Sequence, residues 1–416
     1  MQNVSMNAMP RDAEFFPEGV TRCSLQKFLI MMGVSLVIFL WGCYAAYCIL
    51  AVGLEGTGMN NHFAFGAWIT FDLAVIALGA GAFFTGFLRY ILNIKELDKI
   101  INLTVVLGFA CYTGALIVLV LEIGQPLRAW FVFWHANIHS MLTEVVFCIT
   151  IYTIVLIIEY LPLILGNRVL NRNKFLHSLG HNLHIVMPVF AGVGAFLSTF
   201  HQGSLGGISG VMFGRAFFYR DGFFIWPWTF FLFVISAAGS GPMFTVLIGT
   251  LMEKVTGKKL IPMEVKLLMG KISGTIMIIY AVLNSMSALW WANGLLPRFG
   301  LTFSQMFHGF YFGQYIFWFE LSAFIPAIIL LTPKWRANTT LLYLSGIWLV
   351  LIVSLNRYVQ VIQGQAFPAM PFQNWEFYAP TWIEWSTCLM VVPYVVMLLG
   401  LTYRYLPLFP YEKELN

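Results

Sequence analysis

About ten stretches of this chain are apolar for roughly twenty residues each, and no other feature limits the fold so strongly. Some 20 apolar residues in a helix are needed to cross about 30 Å of hydrocarbon. Hydrophobic residues make up 59% of the 416 and charged residues 10%, where a soluble domain sits near half and a quarter. The mean hydropathy is +0.80. The chain therefore reads as an all-α integral membrane protein. The spacing predicts helices over 25–54, 65–90, 102–122, 138–163, 184–201, 224–252, 267–293, 309–331, 340–356 and 383–405. The first run is too long for the apolar part of a signal peptide and reads as an uncleaved anchor.

The charges between these runs are sorted by side. Of 23 Lys and Arg, 18 fall on alternate connections that include both ends of the chain. The other side receives Arg128, Arg215, Arg220, Arg298 and Arg357, and no lysine. Basic loops stay in the cytoplasm, so both termini are expected there. Termini on one side require an even number of crossings, which agrees with ten. Two connections on the outer side are long, 202–223 and 357–382. They are aromatic and low in charge, which suits docking of another protein. An aromatic belt at the headgroups would look similar.

Residues 65–85 align without gaps on 225–245. Trp68, Phe71, Ala77, Gly79, Gly81, Phe84 and Thr85 meet Trp228, Phe231, Ala237, Gly239, Gly241, Phe244 and Thr245. The second and sixth helices thus look like copies, each opening a set of four. The expected organisation follows from this. Residues 1–24 form an N-terminal arm, and 25–64 the first helix and an outer loop. Two four-helix bundles at 65–201 and 224–356 are followed by 383–416, the last helix and tail. The copies differ at one telling position, where Leu232 stands against Asp72.

An ionisable group inside a bilayer is costly and is a functional candidate for that reason. Asp72 and Glu144 lie in the outer halves of the second and fourth helices. Glu122, Gln125 and Arg128 close the third, His139 opens the fourth and His201 ends the fifth. Together they are expected to line one polar pocket in the first bundle. Glu122 and Arg128 fit an interfacial placement equally well, and the two histidines fit helix ends satisfied by backbone. Thr150, Thr153 and Tyr160 continue a stripe along the fourth helix from His139, with Glu144 beside it, which suits a proton path. Hydroxyls bonded back to their own helix would give the same pattern. Glu320 and Glu384 are the buried acids expected in the second bundle, with Asn284 and nearby serines as packing glue. The six cysteines form no CxxC pair and read as small apolar residues. No zinc or iron–sulfur pattern is present. A single haem between His139 and His201, or an ion-coupled transporter, are the alternative readings.

Three segments carry a resemblance. LSTFHQGSLG at 197–206 is similar to the STLHQSSLG stretch of the NrfD-like (polysulfide reductase type) membrane subunits. GMNNHFAFGAWITFD at 58–72 resembles that family's approach to its second helix, and LNRY at 355–358 with YAPTWIE at 378–384 resembles its N-R and Y-x-P-S-W-x-E segments. Gly203 stands where the family has Ser. The resemblance implies two four-helix bundles with two peripheral helices, no haem or iron–sulfur cluster in this chain, and a site for menaquinone or another quinone near the outer face of the first bundle. Asp72, His139, His201, Gln125 and Arg128 would bind the quinone. Asp72, His139 and Glu144 would handle its chemistry, and Glu144, Thr150, Thr153 and Tyr160 would carry protons. The implied partners are a periplasmic four-cluster iron–sulfur subunit, a multihaem cytochrome c and a molybdopterin-type subunit, with no role for nucleic acid.

Overall fold

The computed structural model describes residues 12–212, 214–215, 219, 227–304, 313–366 and 376–415, without the side chains of 82, 83 and 313–316. Among the described residues nine helices are long and apolar enough to span a membrane. They are α1 (Leu25–Val52), α2 (Ala67–Tyr90), α3 (Ile101–Glu122), α4 (Met141–Leu165), α5 (Lys174–Gly210), α6 (Trp228–Thr256), α7 (Met263–Phe299), α9 (Thr339–Ala366) and α10 (Trp382–Tyr405). A shorter apolar segment, α8 (Phe317–Leu331), lies between α7 and α9 and is interrupted at Ser322 and Ala323. The protein is a multi-pass, all-helical membrane protein.

Packing gives the helices two groups. α2, α3, α4 and α5 pack on one another, as do α6, α7, α8 and α9. The groups meet where α2 and α5 lie on α6, and α9 on α2. α1 packs mainly on α10, and both stand outside these groups, α10 touching α3 and the start of α2. The repeated glycines explain the seam. A Cβ on Gly81 would sit 2.1 Å from the Ala237 carbonyl and 2.6 Å from the Gly241 Cα. These repeat-related glycines let α2 and α6 touch backbone to backbone, as small residues do within membranes.

The described ends of the chain lie on one side, here called the terminal side. Arg404 forks onto Asp12, with Nε–Oδ2 at 2.7 Å and Nη2–Oδ1 at 2.8 Å. Arg22 and Lys258 both reach Glu412, at 2.6 and 3.0 Å. The described part of the N-terminal arm is therefore clasped to the tail, and Phe16 is buried.

Several boundaries differ from the expected ones. α5 begins at Lys174, where Asn173 caps it by accepting from the Phe175 and Leu176 amides, and runs on to Gly210. Residues 202–210 of the expected docking loop are thus helical. Gly203 faces the Phe230 ring, and Gly206 and Gly210 face Thr229, so these glycines fit α5 against the start of α6 rather than ending it. α9 continues past Arg357 through a π-turn at Val359–Gln363 to Ala366. Of the expected 357–382 loop, 367–375 with Trp375 lies outside the described residues, as does Arg220 in the other loop.

Candidate functional site

The far side of the first group is tied down by two acids, one from α3 and one from α10. The Gly66 amide donates to Glu122 Oε1 at 3.2 Å, and the Ala67 amide donates to the Tyr378 hydroxyl at 2.5 Å. Tyr378 in turn donates to Glu384, which also accepts from the Gly58 and Thr381 amides at 2.8 and 2.9 Å. The orphan amides at the start of α2 are thereby satisfied. This corrects the expected place of Glu384. It does not belong to the second group but begins α10 and caps the approach to α2. The Tyr378 hydroxyl, in a loop, is pushed well above its usual range by burial and by the bond to Glu384, so it stays a neutral donor.

Below this cap is a string of buried polar side chains. Asp72, one and a half turns into α2, is 2% exposed, and its Oδ1 has no partner. It lies within electrostatic reach of Glu122 and of Tyr112 on α3. Tyr112 is the hub. Its ring packs on Tyr152 of α4 at 4.4 Å and on His201 of α5 at 5.8 Å. Its hydroxyl is 3.4 Å from the Ser198 hydroxyl. His201 and Gln202 are 0% and 1% exposed. Neither ring nitrogen of His201, nor either end of the Gln202 amide, makes a well-formed hydrogen bond. The Val145 backbone lies beside the His201 ring. Because α5 is longer than expected, His201 is not at its end but about 14 Å below it, at 1.5 Å per residue.

This string opens into a cavity of about 340 Å³ between α2, α5 and α6. Ser198, Thr199 and Gln202 give it a polar end, and Ala80, Phe84, Phe87 and Val234 are among its apolar walls. Phe196 and Thr199 at its rim are exposed, so it opens on the membrane-facing flank. Few polar groups in an apolar slot suit a flat, weakly polar ligand with carbonyl oxygens.

The other expected site residues are not gathered here. His139 is exposed in the loop before α4, where its amide donates to Asn137. Gln125 and Arg128 are exposed on the far-side loop after α3. A haem bridging His139 and His201 finds one histidine in the open and the other sealed in the core. Glu144 is half-buried. The expected stripe on α4 does not line an interior path. Thr150 and Thr153 donate to their own helix at Val146 and Ile149, and Thr150 faces outward. Tyr160 is buried and meets Thr402 at 2.6 Å.

The inward face of α4 carries Tyr152 and Glu159 instead. Glu159 is buried, its Oε2 has no partner, and it lines a crevice of about 120 Å³ with Asn102 and His184 toward the terminal side. Among the described residues no group of three or more His, Cys, Asp or Glu is placed to hold a metal.

The second group handles its acid differently. Glu320 Oε1 accepts from Asn356 at 2.6 Å, Asn284 at 3.0 Å and Tyr280 at 3.1 Å. Arg357, fully buried in α9, donates to Asn356, to Ser236 at 3.0 Å and to the Phe233 carbonyl, and covers the Phe233 ring at 3.5 Å. Arg357 was expected in an outer loop. The longer α9 takes it into the core.

Comparison with known proteins bears on this arrangement. The profile described as polysulphide reductase, NrfD matches residues 55–369. The chain is 60% identical over 98% of both chains to the menaquinone reductase integral membrane subunit of Nitratidesulfovibrio vulgaris. It is 21% identical to a selenate reductase subunit of Mesobacillus selenatarsenatis, over 94% of this chain and 95% of that one. A probable Ni/Fe-hydrogenase 2 b-type cytochrome subunit of Escherichia coli is 23% identical, over 92% of this chain and 94% of that one.

Proposed function

This chain belongs to the polysulphide reductase NrfD family, and we propose that it is the integral membrane subunit of a menaquinone reductase, the part that holds the quinone while another subunit supplies electrons. The observation that carries the reading is the flank-opening cavity whose polar end is Ser198 and Gln202, backed by Tyr112, His201 and Asp72. The full-length likeness to a menaquinone reductase subunit supports the choice of substrate.

Menaquinone is the substrate and enters from the bilayer. Its ring occupies the apolar slot, and one carbonyl takes the unmatched amide of Gln202 and the hydroxyl of Ser198. Reduction to the quinol takes two electrons and two protons. Tyr112 and His201 stand behind the polar end as relays, and Asp72 is the nearby acid that refills them. A group poised to give protons at the reacting atom contributes about 10²- to 10⁴-fold. Glu122 links Asp72 to the far side. Glu159 and its crevice face the other way, in line with Tyr152 on the same face of α4.

The terminal side is cytoplasmic on this reading. The far side is periplasmic, where a four-cluster iron–sulfur subunit docks near Gln125, Arg128 and His139, with a multihaem cytochrome c and a molybdopterin-type subunit beyond it. Protons drawn through Glu159 would cross most of the bilayer, each worth about 2.3 kcal/mol against 100 mV.

The test is quinone turnover by the purified complex. Gln202→Leu should lower it by about 10²-fold or more while assembly and melting temperature hold. Unchanged turnover removes the cavity as the quinone site. A voltage-sensitive dye in sealed proteoliposomes checks the proton source. A potential during turnover is expected, and its collapse in Glu159→Gln with electron transfer retained identifies the inner route.

A further inference from the structure

A second cavity lies on the opposite face of α2. At 100° per residue, Ala80, Phe84 and Phe87, which line the first cavity, share an arc of about 60°. Phe71, Val75 and Leu78 share another of the same width, about 180° away. Those three line a groove of about 420 Å³, bounded by Phe244 and Leu251 of α6 and by Val395 of α10. Its walls are almost wholly apolar, and its polar groups, Thr256 and Tyr403, are both near the terminal end of their helices. A quinone tail leaving the first cavity would have to pass through α2 to reach it.

That end of the groove is basic. Met31 of α1 lines it, and Lys27 is one turn nearer the terminal side on the same face. Leu251 lines it from α6, and Lys254 follows three residues on. Arg22 lies over the Tyr403 ring at 4.0 Å. Arg22 and Lys258 there share the Glu412 carboxylate, so the local balance is positive.

We propose that this groove is a binding site for an anionic phospholipid, with an acyl chain against α2, α6 and α10 and the phosphate among Lys27, Lys254 and the Arg22–Lys258 pair. The charge at one end and the apolar length below it match an amphiphile of that orientation. Lysines near an anionic leaflet attract its headgroups, and the groove adds the chain. The lipid fills the space that α1 and α10 leave beside α6.

The experiment is native mass spectrometry of the purified complex after detergent exchange, with phosphatidylglycerol or phosphatidylcholine added back. One retained phosphatidylglycerol is expected, with at least tenfold preference over phosphatidylcholine. Ile248→Trp, which fills the groove, should abolish retention. Lys27→Gln with Lys254→Gln, both exposed, should remove the preference while leaving a folded complex. Equal retention of the two lipids overturns the proposal. So does recovery of menaquinone in place of phospholipid, or retention unchanged in Ile248→Trp.

Discussion

The two helix groups bury acids in opposite ways. Around Glu320 in the second, three side chains donate to one carboxylate oxygen and Arg357 secures the nearest of them. Around Asp72 in the first, a carboxylate oxygen, a histidine and a glutamine amide are buried without well-formed bonds. A buried polar group left without a partner costs about 1–3 kcal/mol, and a domain's net stability is only about 5–15 kcal/mol. We propose that the second network is structural cement, because the Glu320 oxygen is saturated, although Arg357 Nε and Gln360 Oε1 beside it have no partner. We propose that the unmatched groups of the first network meet the substrate. Repeat-related Leu232 packs in the main apolar core where the first copy has Asp72.

The largest effect should come from the open network. Asp72→Asn and His201→Leu are each expected to lower quinone turnover by about 10²-fold or more with melting temperature unchanged. A matching fall in melting temperature would make the first network cement as well. Next is Glu320→Ala, which leaves three buried donors without their acceptor. It should lose about 3 kcal/mol of stability in denaturant unfolding, while the folded fraction keeps its turnover. Loss of turnover in folded Glu320→Ala would erase the division between the groups.

Leu232→Asn sharpens the contrast within the repeat. Leu232 borders both the apolar core and a small crevice lined by Glu320 and Gln360, so an asparagine there should lower stability by at most about 1–3 kcal/mol, and turnover by far less than Asp72→Asn. Equal damage to turnover would mean that the asymmetry of the copies carries no function. The smallest effect lies outside both groups. The bond from Arg404 holds the Asp12 carboxyl below its usual range. A lowered folded-state value adds stability that is present above the ordinary value of about 4 and lost as pH falls through the folded one. The Asp12 contribution to melting temperature should be flat from pH 7 to 5 and fall below about pH 4. In Asp12→Asn that component of the fall should be absent.

The sequence made the helices legible because each is a long apolar run, and the one-sided charges placed both termini together before any contact was known. Asp72 was legible as a buried acid for the same reason. Which face of each helix points inward was not. On α4 nearly every position is apolar, so no moment marks the inner side. The hydroxyl stripe through Thr150 drew attention, while the buried face holds Tyr152 and Glu159. α5 looked finished at His201 because Gln202, Gly203 and Ser204 resemble a helix end. Its glycines instead fit α5 to α6, and this hid both the depth of His201 and the role of Gln202. Tyr112 carried no warning, since one tyrosine in an apolar run is ordinary.

The cap on α2 reaches across almost the whole chain. The Gly58 amide and the Glu384 carboxylate that receives it are 326 residues apart. A ribosome adding about 5–20 residues per second would need roughly 15–65 s to supply the missing half of that bond. Throughout that interval the loop before α2 lacks its Glu384 latch, and Glu122 alone holds the Gly66 amide. In order of synthesis α10 comes long after α2, and its Glu384 closes the approach to that helix.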